Sequence, residues 1–328
     1  MILVTGGAGF IGSNIVASLI RRGCDVVVCD WLEADGVKWR NLERHLIELV
    51  IPPEELIGFL ERSGESIEAV IHMGAISATT IQDADLVLKS NFRLSQDLWK
   101  WCAQHDRPFV YASSAATYGD GAHGFIDSNS AADLAQLRPL NLYGWSKHWF
   151  DRWAIKAVDE GRPRPPQWAG LKFFNVYGPN EYHKGDMMSV VAKTYPACAL
   201  GKPVRLFKSH DPRFADGGQH RDFVSVEDCA EVVTFLLDNP QAQGLFNVGS
   251  GEARSFNDLV AAIYEAGDGT PLIEYFDMPE ILREKYQYYT CADMCRLRSA
   301  GFNRPATRLE QGVKQYVQDF LSQGPLHA

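Results

Sequence analysis

A chain of 328 residues, 46% hydrophobic and 22% charged, holds enough apolar material for a large α/β core with a second lobe. A formal net charge of −9 argues against nucleic acid as the main partner, because phosphate backbones are met by clustered Lys and Arg. No apolar run reaches the roughly 18 residues that span a bilayer, and Met1 leads straight into Ile2-Leu3-Val4-Thr5 without a charged signal start, so no membrane association and a cytoplasmic location are expected.

The first half alternates β-rich apolar runs with helix-compatible stretches. Ile2–Thr5, Asp25–Asp30, Glu68–Ile71 and Pro108–Ser113 predict strands, and helices are expected after Gly9, around Pro53–Arg62, over Ala84–His105 and from Tyr143 to about Asp159. This alternation predicts an α/β fold built on a doubly wound, Rossmann-like parallel sheet. Beyond the Pro-rich turn at Arg162–Gln167, Gly170–Asn175 reads as another buried strand. The remainder is mixed, with strands at Val204–Phe207, Leu245–Val248 and Leu272–Tyr275 among helices at Glu227–Leu237, Phe256–Ala266 and Arg308–Ser322. A dinucleotide-binding domain over 1–175 and a smaller mixed α/β substrate lobe over 176–328 are expected, with about 220–250 returning to the first domain.

The seven cysteines (Cys24, Cys29, Cys102, Cys198, Cys229, Cys291, Cys295) are scattered, odd in number and without CxxC spacing, which predicts reduced thiols. His72, His183 and His220 are too dispersed for a metal centre, and none is expected.

Gly6-Gly7-Ala8-Gly9-Phe10-Ile11-Gly12 follows the first strand and precedes the amphipathic run Ile15–Arg22. Glycines at this junction permit a tight turn, let backbone approach a pyrophosphate, and let helix pack on strand, while the helix amino terminus offers N–H groups to the anion. Gly6, Gly9 and Gly12 therefore mark a dinucleotide site. Asp30 ends the second strand about 20 residues on, where a carboxylate accepts from the adenosine ribose and favours NAD. Lys38 and Arg40 follow and either pair with the 2′-phosphate of NADP or belong to a solvated loop, so residue logic alone leaves NAD and NADP open.

Tyr143 and Lys147 stand four apart in Tyr-Gly-Trp-Ser-Lys, on one face of a predicted helix. An ammonium beside a phenol stabilises phenolate, which lets tyrosine act as a base near neutral pH. Upstream, Ala112-Ser113-Ser114-Ala115-Ala116-Thr117-Tyr118-Gly119 ends a strand where active-site groups of open sheets gather, and Ser114 is the expected hydrogen-bonding partner of the reacting substrate oxygen.

The motifs GGAGFIG, SSAATYG, YGWSK, Phe174-Asn175-Val176-Tyr177-Gly178-Pro179 and Arg221-Asp222-Phe223-Val224 resemble the extended short-chain dehydrogenase/reductases over nearly the whole chain. With Asn180-Glu181-Tyr182-His183-Lys184-Gly185-Asp186-Met187 and Lys285-Tyr286-Gln287-Tyr288-Tyr289-Thr290, the match narrows to the epimerases of that family that act on an ADP-heptose. The resemblance implies an ADP-sugar substrate, a tightly held NADP, and an internal redox cycle in which hydride leaves carbon six and returns to the opposite face of a transient ketone. It also implies that Tyr143 and Lys184 are the two acid/base groups, although Lys184 also reads as an exposed loop cation. A homo-oligomer is expected.

By the same carry-over, Phe10, Ile11, Asp30, Trp31, Lys38, Met73, Gly74, Ala75, Ile76, Ser77, Asn91, Lys147 and Val176 match cofactor positions. Ser114, Asn175, Asp186, Lys193, Phe207, Lys208, Ser209, His210, Arg221 and Tyr286 match the substrate side. Arg221 suits a diphosphate through its planar fork, against a structural ion pair with Asp222 or Asp228. The chain departs from the family where Asp186 replaces serine, Lys193 replaces histidine, Trp31 replaces asparagine, no lysine stands near Pro52-Pro53, and an extra loop spans Pro212–Gln219. A dehydratase of this class usually carries an acidic pair where this chain has Ala115 and Ala116. Another nucleotide-sugar epimerase, dehydratase or reductase and a non-catalytic dinucleotide scaffold are the remaining readings.

Overall fold

Short apolar runs such as Val26-Val27-Val28-Cys29 are buried along their whole length, as expected of parallel strands covered on both faces. The computed structural model describes residues 1–32, 36–78, 81, 83–283 and 286–324, so Lys285 of the last motif lies outside the described residues. Its strands are Ile2–Thr5 (β1), Val26–Cys29 (β2), Leu49–Ile51 (β3), Ala69–His72 (β4), Phe109–Ser114 (β5), Trp168–Phe173 (β6), Asn175–Tyr177 (β7), Val204–Phe207 (β8), His220–Ser225 (β9), Gly244–Val248 (β10), Ala253–Ser255 (β11) and Ile273–Phe276 (β12). The main sheet has seven strands in the order β10-β6-β5-β4-β1-β2-β3, every pairing parallel. β11, β9 and β7 form a second sheet, and β12 pairs with β8.

The helix Phe10–Arg21 buries Ile15, Val16 and Leu19 completely and packs against the helix Val226–Asp238. That second helix and β10 bring the later chain back to the main sheet. The helix Leu142–Asp159 starts where the Asn141 side chain accepts the Gly144 N–H (2.8 Å), satisfying a donor the helix cannot use internally.

Several details differ from the sequence-based expectation. The strand expected over Gly170–Asn175 divides: β6 stays in the main sheet, and β7 begins the small one after a break at Phe174. The helix expected over 84–105 is interrupted by a π-helical turn, Lys89–Arg93, a device that often marks functional positions. β3, β9, β11 and the helix Val190–Ala199, which carries Pro196, lie outside the expected elements. All seven cysteines are free thiols, and among the described residues no helix is long and apolar enough to cross a membrane.

Candidate active site

β1 lies between β2 and β4 in the main sheet, so the strand order reverses there and opens a crevice at the carboxyl ends of β1 and β4, where open α/β sheets take ligands. The glycine turn leaves β1. Gly6 has φ of 66°, and a Cβ there would sit 2.5 Å from the Gly74 nitrogen. A Cβ on Gly12 would run into the Gly6 carbonyl oxygen. Gly9 caps the helix Phe10–Arg21 with no side-chain cap and no acidic residue in the first turn. The helix ladder opens with Ser13 N–H to Gly9 O (2.9 Å), so the N–H groups of Phe10, Ile11 and Gly12 precede it and remain for an anion. This donor set and close-packed turn fit a dinucleotide pyrophosphate.

At the end of β2, Asp30 is held on all sides. Its Oδ2 accepts the Ala8 N–H (3.0 Å), while Oδ1 accepts the Trp31 N–H (2.8 Å) and the Lys38 ammonium (2.7 Å). The two expected adenosine-end residues thus pair with each other. Trp31 is half exposed and donates its indole N–H to Glu54 (2.9 Å).

Met73, Gly74, Ala75 and Ile76 leave β4 half-buried, followed by exposed Ser77. Asn91, in the π-helical turn, clamps this segment: its Oδ1 accepts the Ile76 N–H (2.8 Å), and its Nδ2 donates to Ile76 O and to Ser146 Oγ (both 3.0 Å). A buried relay braces it from below. Gly74 N–H donates to Thr5 Oγ1 (3.2 Å), which lies 2.6 Å from His72 Nδ1; His72 Nε2 lies 2.9 Å from Ser95 Oγ, whose hydroxyl donates to Asn91 O (2.8 Å). Because Ser95 spends its proton on Asn91, His72 donates through Nε2 and accepts the Thr5 hydroxyl proton through Nδ1. Burial pushes the imidazole down to about 3, so it is neutral.

Ser114 ends β5. Its Oγ accepts the Ala116 N–H (3.1 Å) and acts on the Tyr143 phenol, whose pKa it lowers. Lys147 is 2% exposed. Burial raises the pKa of Tyr143, Ser114 lowers it in part, and the Asp151 charge raises it further. Lys147 itself is pushed down to about 8 by burial, with Asp151 opposing. Burial thus favours the protonated phenol.

The loop after β7 carries Lys184 inward, and its reading as an exposed loop cation is not what the fold gives. Its ammonium lies 4.8 Å from the Phe10 ring centroid, and burial lowers its pKa while Glu181 raises it. Glu181 is fully buried and accepts from Ser189 N–H, Ser189 Oγ (2.6 Å) and Tyr316 OH (3.2 Å). Asp186 is exposed, and its carbonyl accepts from Lys193 Nζ (3.1 Å).

On the substrate side, Arg221 is 7% exposed, lies 5.0 Å from the Tyr286 ring and 5.6 Å from the Phe256 ring, and donates to His220 O (2.8 Å). Asp222 instead accepts from Ser250, Gly251 and Ala292, and Asp228 accepts from Thr307. Among the described residues no carboxylate lies within ion-pair distance of Arg221, so the proposed pairing with Asp222 or Asp228 is absent. A buried guanidinium in that state calls for an anion. Phe207 packs on Tyr286 (6.2 Å between rings). Lys208 and His210 both face Asp277, at 3.5 and 3.9 Å, while Ser209 is folded into its own loop by Asp216 and Asp211. Asn175 is exposed and Val176 half-buried on β7.

Sequence reasoning missed Asp151 and Lys172, whose side chains are fully buried and paired at 2.6 Å, with Asp151 bonded to Ser113 and Lys172 to Thr117 on either side of Ser114. Lone charges 21 positions apart carry no local signal, although Lys172 inside a buried strand is itself an anomaly.

A parallel sheet with a glycine-lined switch point and a Tyr–Ser pair at its carboxyl edge defines a dinucleotide-dependent enzyme class. Residues 2–249 match the profile of the NAD dependent epimerase/dehydratase family, and the chain belongs to that family. ADP-L-glycero-D-manno-heptose-6-epimerase of Nitratidesulfovibrio vulgaris is 49% identical over 327 residues, 98% of each chain. The crystal structure of ADP-L-glycero-D-manno-heptose-6-epimerase from Helicobacter pylori superposes with a TM-score of 0.78 at 27% identity, covering 97% of this chain and 95% of that one. UDP-glucose 4-epimerase of Thermus thermophilus, solved with NAD, gives a TM-score of 0.74 at 26% identity over 96% and 97%.

Proposed function

We propose that the protein converts ADP-D-glycero-manno-heptose to ADP-L-glycero-manno-heptose by oxidation and re-reduction at carbon six, using one retained dinucleotide. The observation that carries this reading is the full-length likeness to a relative of that activity, in a chain that sets Ser114 at the end of β5 and Tyr143 and Lys147 on the helix Leu142–Asp159. When bound, the dinucleotide supplies the hydride acceptor and donor.

The chain's own residues do the rest. Phe10, Ile11 and Gly12 offer N–H groups to the pyrophosphate from the glycine turn. Ser114 hydrogen-bonds the reacting sugar oxygen, and Tyr143 and Lys184 exchange its proton on opposite sides. Their environments push them apart: burial holds the phenol protonated and makes Lys184 easier to deprotonate than a free lysine. Opposed shifts of this kind assign one group as donor and one as acceptor. Lys147 supplies positive charge beside the sugar and the ribose. Arg221 takes the ADP diphosphate through its fork, with Phe207 and Tyr286 beside it, while Asn175, Asp186 and Lys193 belong to the sugar-facing wall.

NADP is the proposed form of the cofactor. Asp30 is fixed by two backbone N–H groups, so Lys38 is the partner free to be shared with a 2′-phosphate, and that shared cation offsets the repulsion between phosphate and carboxylate. Residues 1–175 with 220–250 form the dinucleotide lobe in this reading and the rest the sugar lobe. Cytoplasmic work as a homo-oligomer belongs to the same proposal. Incubation with ADP-heptose and a panel of UDP-sugars, followed by analysis of the carbon-six configuration, tests it: inversion of the ADP-heptose is expected, and inversion of a UDP-sugar alone overturns it.

A further inference from the structure

A fully buried ion pair, Asp151 with Lys172, ties the helix of Tyr143 to the strand that ends in Ser114. Asp151 sits one helical turn after Lys147 and two after Tyr143, on the helix Leu142–Asp159. Its Oδ2 accepts from Lys172 Nζ (2.6 Å) on β6 and from Ser113 Oγ (2.7 Å) on β5, and its Oδ1 accepts from Tyr111 OH (3.0 Å) on β5. Both charged side chains are 0% exposed. Lys172 also donates to Thr117 Oγ1 (2.7 Å), whose hydroxyl donates to the Ser114 carbonyl (2.8 Å), and it lies 5.1 Å from the Tyr118 ring.

Replacing a buried ion pair by apolar groups is often neutral or stabilising, so stability alone gives little reason to keep this one here. Its bonds point elsewhere. Three of them grip the strand and turn on either side of Ser114, and the carboxylate anchors the helix that carries Tyr143 and Lys147. We propose that the Asp151–Lys172 pair is a positioning device for the proton-handling residues: it locks Ser114 against Tyr143 and supplies a fixed negative charge beneath Lys147.

The charge is felt unevenly. Asp151 raises both Tyr143 and Lys147, while Lys172 registers on His148 of the same helix, together with Arg152 and Arg138. His72 on β4 also faces Lys147 and is neutral. Tyr111, Ser113 and Lys172 are the polar groups that meet the carboxylate from the sheet. Removing the carboxylate therefore lowers the pKa of both Tyr143 and Lys147.

This inference rests on the acid/base role given to Tyr143 and the supporting roles given to Lys147 and Ser114. The test compares wild type, Asp151→Glu and the charge-free double variant Asp151→Asn/Lys172→Met by kcat against pH, with Tyr143→Phe as control. The double variant is expected to move the limb set by Tyr143 down by about one pH unit, with the Lys184 limb in place and Asp151→Glu unmoved. Ser113→Ala, which keeps both charges but cuts the tie to the strand, is expected to lower kcat about tenfold at unchanged KM. A wild-type profile in a folded double variant overturns the proposal. If the double variant does not fold, Ser113→Ala decides alone, and an unchanged kcat there overturns it. Full activity in Tyr143→Phe instead overturns the acid/base reading and is read separately.

Discussion

The Lys184 ammonium sits 4.8 Å from the centre of the Phe10 ring, which brings the loop after β7 back onto the first residue of the helix behind the glycine turn. Neighbouring bonds hold that approach: Asn14 Nδ2 donates to Pro179 O (3.1 Å), Asn180 Nδ2 to Ser13 Oγ (2.9 Å), and Asn41 Nδ2 to both Ala8 O (2.8 Å) and Asn180 O (3.1 Å). A cation far along the sequence is thereby held beside the helix that follows the glycine turn. Losing either proton-handling group should therefore spare dinucleotide binding while ending catalysis. Lys184→Met and Tyr143→Phe are each expected to lower epimerisation by at least about 10²-fold, with dinucleotide retained on purification. Activity within twofold of wild type in either variant contradicts its assigned role.

Lys38 shares its charge with Asp30 at 2.7 Å. Lys38→Ala is expected to weaken NADP by about tenfold or more, in line with a lost charge-assisted hydrogen bond of roughly 1.5–3 kcal/mol, and NAD by much less. Calorimetric titration of both dinucleotides measures this. Equal weakening identifies NAD as the natural partner.

Arg221 lies buried between two aromatic rings, with no carboxylate in ion-pair reach among the described residues. Arg221→Lys keeps the charge but loses the planar fork and its stacking. We expect KM for the ADP-sugar to rise about tenfold or more at nearly unchanged kcat. A normal KM places the diphosphate elsewhere.

The His72 relay links β1, β4 and the Asn91 clamp through a neutral imidazole held at about 3, below the roughly 6.5 of the unfolded chain. Between those values the unfolded state binds a proton the folded state refuses, so this contribution to stability is present above about pH 6.5 and falls as pH drops toward 3. His72→Gln removes that dependence. The wild-type advantage in urea unfolding is expected to shrink by about 2 kcal/mol between pH 7 and pH 5. A constant difference contradicts the neutral relay.

The main sheet was legible in the sequence because parallel strands buried on both faces read as continuous apolar runs, as in Ile2–Thr5 and Val26–Cys29. β9 was hidden for the opposite reason: His220-Arg221-Asp222 opens it with polar side chains, of which Asp222 is satisfied by distant partners such as Ser250 and Ala292. β3 and β11 are three-residue strands too short for a pattern to register. At the site, Tyr143, Lys147 and the glycines are fixed by local spacing, and their proximity to Ser114 follows from the sheet. The partners that set their chemistry do not. Lys172 reads as an ordinary strand residue until β5, β6 and the helix Leu142–Asp159 enclose it, and the pairing of Lys38 with Asp30 depends on how the chain folds between them.

The central claim is that one retained dinucleotide removes the carbon-six hydride and returns it to the other face. Turnover of an ADP-heptose deuterated at carbon six tests it most directly. The expected product has inverted configuration with the deuterium still on carbon six and no net change in nicotinamide absorbance. Loss of deuterium to solvent, or its build-up in free reduced dinucleotide, would contradict the account.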